Sequence, residues 1–278
     1  MIPAPVGFQC RECVRAHTKA TRQTTGRYGG RLSQNPRTTS IVLIAINVAI
    51  WGIIQVTALA KVQAQVVQFL GLLPRGMCVV TSDPNSHYPN VTETVCRTME
   101  GVHWVPGIAD GAWWQVITSV FTHVTIPHIA LNCLTLWFLG PPLESLLGRT
   151  RFLVTYMLSG LTGSLAIYWL SPEISLSYGG SSAMFGLMGA LLIILAQRKS
   201  DIRQLLLWLG MNILFTFIGH GISWQGHMGG LVGGAVLACV WAFTPLDTKL
   251  SRTQWILVVA ILIAIIAGLV ARTLLLSS

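Results

Sequence analysis

Charged side chains are scarce in this sequence, which has 18 Lys or Arg and 9 Asp or Glu among 278 residues, or 10%. Soluble domains carry about 25% charged residues. The deficit lies after residue 40, where long apolar runs alternate with short polar gaps. A bilayer core about 30 Å thick takes roughly 20 helical residues to cross, and several runs reach that length. The sequence therefore predicts an all-α polytopic membrane protein, because open sheets cannot pair their backbone groups in lipid.

Acids and lysines are missing from the interior of the apolar runs. Transporters and channels place ionisable residues deep in several spans, so this absence argues against that class. The first 40 residues also lack the apolar core of a cleavable signal peptide. The first span, from Ile41 to about Ala60, is therefore expected to act as an uncleaved anchor.

The basic residues cluster near the N-terminus, with seven of the 18 before residue 40. They are not interleaved with aromatic residues, so the net charge of +9 does not predict a nucleic-acid partner. Segment 1–40 is instead typical of a cytoplasmic flank, and contact with anionic lipids of the bilayer is compatible with that interpretation.

The apolar runs predict seven spans, at about 41–60, 116–139, 152–170, 181–197, 203–219, 225–243 and 254–275. A long outer gap, 61–115, follows the first span. If the N-terminus lies inside, 14 of the 18 basic residues but only four of the nine acidic residues lie inside. The positive-inside rule therefore favours a cytoplasmic N-terminus and an outer C-terminus.

Two cysteine pairs have different interpretations. Cys10 and Cys13 have the spacing of half a zinc site, but only His17 is near, so they are weak zinc candidates. Cys78 and Cys96 lie in the outer gap, where an oxidising compartment would allow a disulfide.

Among the polar residues that interrupt the apolar sequence, four are candidates for a site: Ser181, His227, His128 and Asn132. Polar groups in spans are costly and tend to mark a site. The predicted orientation places all four at a similar, shallow depth below the outer surface. Their types are those of a nucleophile, a base and two oxyanion donors.

Ser181 follows two glycines at the predicted start of a helix, where unpaired N–H groups and the positive dipole end favour a developing oxyanion. The alternative is that Ser181 or Ser182 merely caps the helix. His227 precedes Gly230 and Gly234, a small-residue face that lets two helices pack closely. The alternative is a hydrogen-bonded core histidine.

His128 and Asn132 are four residues apart and therefore share a helix face, from which both can donate hydrogen bonds. An interhelical hydrogen bond without a catalytic role is the alternative. No acid lies in a span to orient His227, so the sequence predicts a Ser–His dyad rather than a triad. Phe185, one turn after Ser181, is expected to pack on the imidazole.

These motifs, in this order, resemble the rhomboid intramembrane serine proteases over about residues 41 to 275. The matching elements are Trp113-Trp114-Gln115 with Thr118-Ser119, HxxxN at His128 and Asn132, Glu144-x-x-x-Gly148-Arg149, GxSx at Gly179 to Ser182, the small-residue helix from Ala183 to Ala190, and HxGGxxGG from His227 to Gly234. The resemblance implies Ser181 as nucleophile, His227 as general base, and His128 and Asn132 as oxyanion donors, without a cofactor.

The resemblance also implies a rhomboid-like six-helix core over 41–243 with an additional seventh transmembrane helix over 254–275. Transmembrane proteins would be the substrates, cleaved near the outer face of a cell membrane. The segment around Cys10 and Cys13 looks like the remnant of an N-terminal zinc-ribbon found before some bacterial members, which suggests a bacterial origin.

Three positions depart from the family pattern. Ser182 stands where the family usually has glycine, Phe185 stands where it often has tyrosine, and Gln115 replaces a frequent basic residue of the outer loop. Ser182 adds a second hydroxyl beside the predicted nucleophile. The alternative function is a catalytically inactive rhomboid-like protein that binds transmembrane helices; loss of the serine or the histidine would mark it, and both are present.

Overall fold

The computed structural model describes residues 2–3, 8–10, 12, 26–219, 221–244 and 250–277. In chain order the elements are β1 Ile2–Pro3, β2 Phe8–Gln9, α1 Arg37–Leu59, α2 Gln63–Leu70, β3 Met77–Val80, β4 Asp83–Tyr88, α3 Glu93–Cys96, β5 Val102–Val105, α4 Gln115–Phe121, α5 Ile126–Leu147, α6 Arg149–Leu170, α7 Ser181–Gln197, α8 Arg203–Ile218, α9 Trp224–Phe243 and α10 Leu250–Ser277. Five of these helices, α1, α5, α6, α9 and α10, are long and apolar enough to cross a membrane. The apolar helices α7 and α8 are shorter. The protein is therefore a helical multi-pass membrane protein with a six-helix core and one added helix.

The predicted second span, 116–139, is wrong in its bounds. The short helix α4 ends at Phe121, and α5 begins at Ile126 and continues to Leu147. Pro127 lies in the first turn of α5, where its missing N–H costs nothing, whereas inside a longer helix it would remove a hydrogen bond. Apolar residues on both sides of the break concealed it.

The outer gap contains regular structure that the sequence analysis did not assign. Its three strands form an antiparallel sheet in the order β4–β3–β5. Cys78 on β3 and Cys96 at the end of α3 form a disulfide with Cα atoms 5.7 Å apart. The gap also contains α2, and α4 follows it, so a folded segment joins α1 to α5.

The centre of the bundle is α7, whose residues 182–191 are all buried. Its small residues let α9 approach closely: a Cβ at Gly230 would collide with the carbonyl of Ser182, and one at Gly234 would collide with the carbonyl of Gly186. The prediction that the small-residue face after His227 lets two helices pack closely is therefore confirmed, and the backbone that it faces belongs to Ser182 and Gly186.

The added helix α10 packs against α6. The hydroxyls of Tyr168 and Thr273 are 2.8 Å apart, and the indole N–H of Trp169 donates to the carbonyl of Gly268 at 2.9 Å. At the other end, the guanidinium of Arg151 donates to the side-chain oxygen of Gln254 at 2.8 Å. These polar contacts hold α10 along nearly its whole length.

Candidate active site

Ser181 and His227 meet at one end of the bundle. Ser181 is the first residue of α7, and His227 lies in the first turn of α9. The Ser181 Oγ lies 2.7 Å from the His227 Nε2. This is hydrogen-bonding distance, which is the geometry that a base needs to take the proton of an attacking hydroxyl.

Of the two glycines before Ser181, Gly179 is required by the turn that starts α7. Gly179 has a φ of 132°, and a Cβ there would collide with the imidazole of His128. The N–H of Gly179 donates to the carbonyl of Ser119 at 2.8 Å. Gly180 is the N-cap residue, and no side chain caps the helix. The hydroxyl of Ser181 therefore does not serve as a helix cap and contacts His227 instead.

Ser182 points away from the imidazole. Its side chain is buried between α6 and α9, where a Cβ on Gly163 or Gly226 would approach its hydroxyl to 2.7 Å and 2.8 Å. Adjacent residues at the start of a helix project about 100° apart, so only one of the two serines can face His227. The structure places Ser181 in that position.

The imidazole of His227 is held on its face and at its second nitrogen. Phe185 stacks on it with ring centroids 4.2 Å apart and an angle of 14° between the planes. Nδ1 lies 2.7 Å from the hydroxyl of Thr216 on α8. The sequence analysis did not select Thr216, since a threonine in an apolar helix carries no motif and ordinarily bonds its own backbone.

His128 and Asn132 lie in the first two turns of α5, on the same side of the bundle as Ser181. The ring of His128 packs against Gly179, and Asn132 shares a small cavity with Gly180 and Met184. One amide N–H of Asn132 donates to the carbonyl of His128 at 2.8 Å. An amide has a second N–H, which this bond leaves available.

His123 also belongs to this site, although the sequence analysis gave it no role. Its Nδ1 lies 3.2 Å from the carbonyl of Phe121, and its Nε2 accepts the N–H of Gly180 at 3.2 Å. A carbonyl can only accept, so Nδ1 carries the proton and the ring is neutral. Burial, with a smaller contribution from the neighbouring His128, lowers the pKa of His123 from 6.5 to about 4. His123 thus fixes the backbone one residue before Ser181.

This histidine is expected to make stability depend on pH. Between pH 6.5 and about 4 the unfolded chain binds a proton at His123 that the folded chain does not, so the free energy of unfolding falls as the pH is lowered through this window. The midpoint of thermal unfolding in detergent, measured from pH 7 to 4.5, should fall less steeply in His123→Gln. His87→Gln, at an exposed position on β4, is the control and should match the parent; a slope unchanged in His123→Gln would contradict the prediction.

The structure describes only one of the two predicted zinc candidates. Cys10 is exposed, while Cys13 lies outside the described residues. Within the part of the chain that the structure describes, no group of three or more His, Cys, Asp or Glu side chains has the geometry to hold a metal ion.

Comparison with known proteins places this arrangement in a family. A sequence model of the rhomboid domain matches residues 110–243. The chain is 40% identical over 132 residues to rhomboid protease GluP of Bacillus subtilis, covering 46% of this chain and 26% of that protein. It is 34% identical over 137 residues to the putative rhomboid protease YdcA of the same organism, covering 48% of this chain and 69% of that protein.

A eukaryotic protein shows the same likeness. Rhomboid-like protease 3 of Toxoplasma gondii is 30% identical over 149 residues, which cover 51% of this chain and 56% of that protein. The chain thus spans about a quarter of the first of these three relatives and larger fractions of the other two. The matched region contains α5 to α9, and with them every residue of the site described above. The chain belongs to the rhomboid family.

Proposed function

We propose that this protein is an intramembrane serine endopeptidase that cleaves transmembrane segments of other membrane proteins. The contact that carries the proposal is the 2.7 Å approach of Ser181 Oγ to His227 Nε2. It lies at the start of α7 and α9, beside two further donors on α5. The names of the bacterial relatives, which are rhomboid proteases, support the same reaction class.

The reaction starts with proton transfer from Ser181 to neutral His227 as the Ser181 oxygen attacks the scissile carbonyl. The negative charge on the tetrahedral intermediate is stabilised by His128, Asn132 and the backbone N–H of Ser181. His227 then protonates the leaving amine, and an acyl-enzyme remains on Ser181. Water activated by His227 hydrolyses this ester and restores the hydroxyl. Each of these steps uses only groups of the protein and water.

The substrate is a transmembrane helix that can unwind locally. A helix engages its carbonyl groups in backbone hydrogen bonds, so the scissile carbonyl must first be released. Glycine and proline lower helix stability by about 1 and about 3 kcal/mol, and substrates that carry them near the cut are favoured. Cleavage takes place near the outer membrane face, since water must reach the acyl-enzyme.

The topology and domain division follow the charge distribution. The N-terminal segment 1–40 is cytoplasmic and the C-terminus lies outside, in the plasma membrane of a bacterial cell. The core, 41–243, contains the catalytic residues, and the helix 254–275 is an addition to it. The fourth and sixth predicted spans then run inward, which brings Ser181 and His227 to the outer side.

The alternative function is a catalytically inactive protein that binds transmembrane helices. Such a protein needs neither a nucleophile nor a base. The short contact between Ser181 and His227, with Phe185 stacked on the imidazole, favours the enzyme because binding alone does not require this alignment.

The test uses the full chain in liposomes with a membrane reporter whose single span contains a helix-weakening Gly-Pro pair. The parent should cleave the reporter within that span and should react with a fluorophosphonate. His227→Ala should lose both, because the hydroxyl is then without a base. A parent that binds the reporter without cleaving it, and that resists the fluorophosphonate, would support the helix-binding alternative.

A further inference from the structure

One side chain near the end of α8 is buried although its neighbours on the helix are exposed. Thr216 is 3% exposed, whereas Phe215, Phe217 and Ile218 are 60%, 64% and 64% exposed. Elsewhere on this helix the buried residues are Leu205 and Leu209, both apolar. Thr216 is therefore the one buried polar residue of α8. Its hydroxyl faces the imidazole of His227.

The hydrogen positions in this contact follow from the acceptors. The Thr216 Oγ1 lies 2.7 Å from the carbonyl oxygen of Asn212 and 2.7 Å from Nδ1 of His227. A hydroxyl has one hydrogen, and a carbonyl can only accept, so the hydrogen of Thr216 goes to Asn212. The oxygen of Thr216 must then accept from Nδ1, which therefore carries the ring proton.

This assignment leaves the other ring nitrogen ready to act as a base. A neutral imidazole has one N–H, so Nε2 is an unprotonated acceptor facing the hydroxyl of Ser181 at 2.7 Å. The hydrogen bonds run in one direction, from Ser181 through His227 and Thr216 to the carbonyl of Asn212. In the Nε2–H tautomer, the nitrogen that faces Ser181 would carry a hydrogen and could not accept the proton of Ser181.

We propose that Thr216 is a positioning residue that holds His227 in its Nδ1–H tautomer and fixes the plane of its ring. The inference rests on the proposed function of the Ser181–His227 pair. No carboxylate among the described residues bonds His227, so the threonine hydroxyl takes the place that an acid has in a triad. The hydroxyl orients the imidazole but carries no negative charge. Removing it should therefore lower kcat by less than removing the acid of a triad does.

A second threonine shows what a purely structural version of this contact looks like. Thr155 on α6 is buried, donates to the carbonyl of Arg151 at 2.7 Å and accepts the indole N–H of Trp241 at 3.1 Å. Trp241 is on α9, 14 residues after His227, or about 21 Å along the helix. Thr155 and Thr216 therefore make the same pair of bonds, and they differ in that one ring is the base.

The first experiment measures cleavage of the reporter by full-length Thr216→Val, Thr216→Ser and the control Thr155→Val. Thr216→Val keeps the shape but removes the acceptor, and should lower kcat by about tenfold to a hundredfold. KM should stay within about twofold, because the contact does not involve the substrate. Thr216→Ser restores the hydroxyl and should recover most of kcat. Thr155→Val leaves the Trp241 N–H without its acceptor, so stability falls while kcat is retained.

The second experiment reads the tautomer directly. The ¹⁵N resonances of His227, assigned by comparison with His227→Ala, should show Nδ1 protonated and Nε2 unprotonated in the parent at neutral pH. In Thr216→Val the two tautomers should exchange, whereas Thr155→Val should match the parent. An Nε2–H tautomer in the parent overturns the inference. Because this result comes from the parent protein, it tests the inference even if Thr216→Val does not fold.

The outcomes separate this inference from the proposed function. A parent that cleaves, with a kcat unchanged in Thr216→Val, overturns the role of Thr216 and leaves the protease assignment standing. A parent that neither cleaves the reporter nor reacts with a fluorophosphonate removes the proposed function and the positioning role with it. Equal losses of kcat in Thr216→Val and Thr155→Val would indicate a structural effect and also overturn the inference.

Discussion

Ser181→Ala is expected to lower reporter cleavage by about four orders of magnitude or more, because no other group can then form the acyl-enzyme. The neighbouring hydroxyl cannot substitute for it. Ser182 is buried between α6 and α9 and faces away from His227, and a helix start fixes the direction of each side chain. Cleavage is measured as the initial rate in liposomes. The rate is divided by the amount of folded protein, which the thermal unfolding transition gives.

Ser182→Ala is the matched control for this prediction. It removes the same hydroxyl at the next position of α7 and should keep cleavage within about threefold, since alanine fills most of the space that serine occupied. Labelling by a fluorophosphonate should be lost in Ser181→Ala and kept in Ser182→Ala. The opposite pattern would assign the nucleophile to Ser182 and would refute the arrangement at the start of α7.

Gly230→Ala should also lower cleavage strongly, although glycine to alanine usually stabilises a helix. A Cβ at Gly230 would collide with the carbonyl of Ser182, so α9 must move away from α7. His227 lies one turn before Gly230 on the same helix, and a displacement of about 1 Å can lower a rate by about a hundredfold. We expect that loss of cleavage together with a destabilisation of about 3 kcal/mol, seen as a lower midpoint of thermal unfolding.

The same substitution at another position gives the opposite expectation. Gly210 on α8 has no atom within 4 Å of the position that a Cβ would take. Gly210→Ala should therefore keep cleavage and raise stability by up to about 1 kcal/mol, the difference in helix propensity. If Gly230→Ala behaved like Gly210→Ala, the close approach of α7 and α9 would not be what aligns the dyad.

Much of the fold could be predicted from the sequence because lipid imposes a simple rule on it. Long apolar runs must be helices, and the seven predicted spans correspond to α1 and α5 to α10. The break at residues 122–125 was missed because the run is apolar on both sides of it. The Cys78–Cys96 disulfide, which the sequence allowed, is present. The sheet in the outer gap was not predicted, because its strands pair residues that are well separated in the chain, and composition does not reveal such pairing.

Some residues of the candidate site could likewise be predicted from the sequence, and others could not. Residue type and spacing selected Ser181, His227, His128 and Asn132, since polar groups in apolar runs stand out and are costly there. His123 and Thr216 did not stand out. Their importance comes from what they contact, Gly180 and His227, and these contacts depend on how separate segments of the chain pack.

The sequence alone determined that the chain crosses a membrane several times and that a hydroxyl, an imidazole and an amide interrupt its apolar runs. The tertiary structure decided which serine faces the imidazole, which nitrogen of His227 lies against the hydroxyl of Ser181, and how closely α9 approaches α7. Local composition dictates burial in lipid, but a distance of 2.7 Å between Ser181 and His227 depends on how separate helices pack, and packing is a property of the whole bundle.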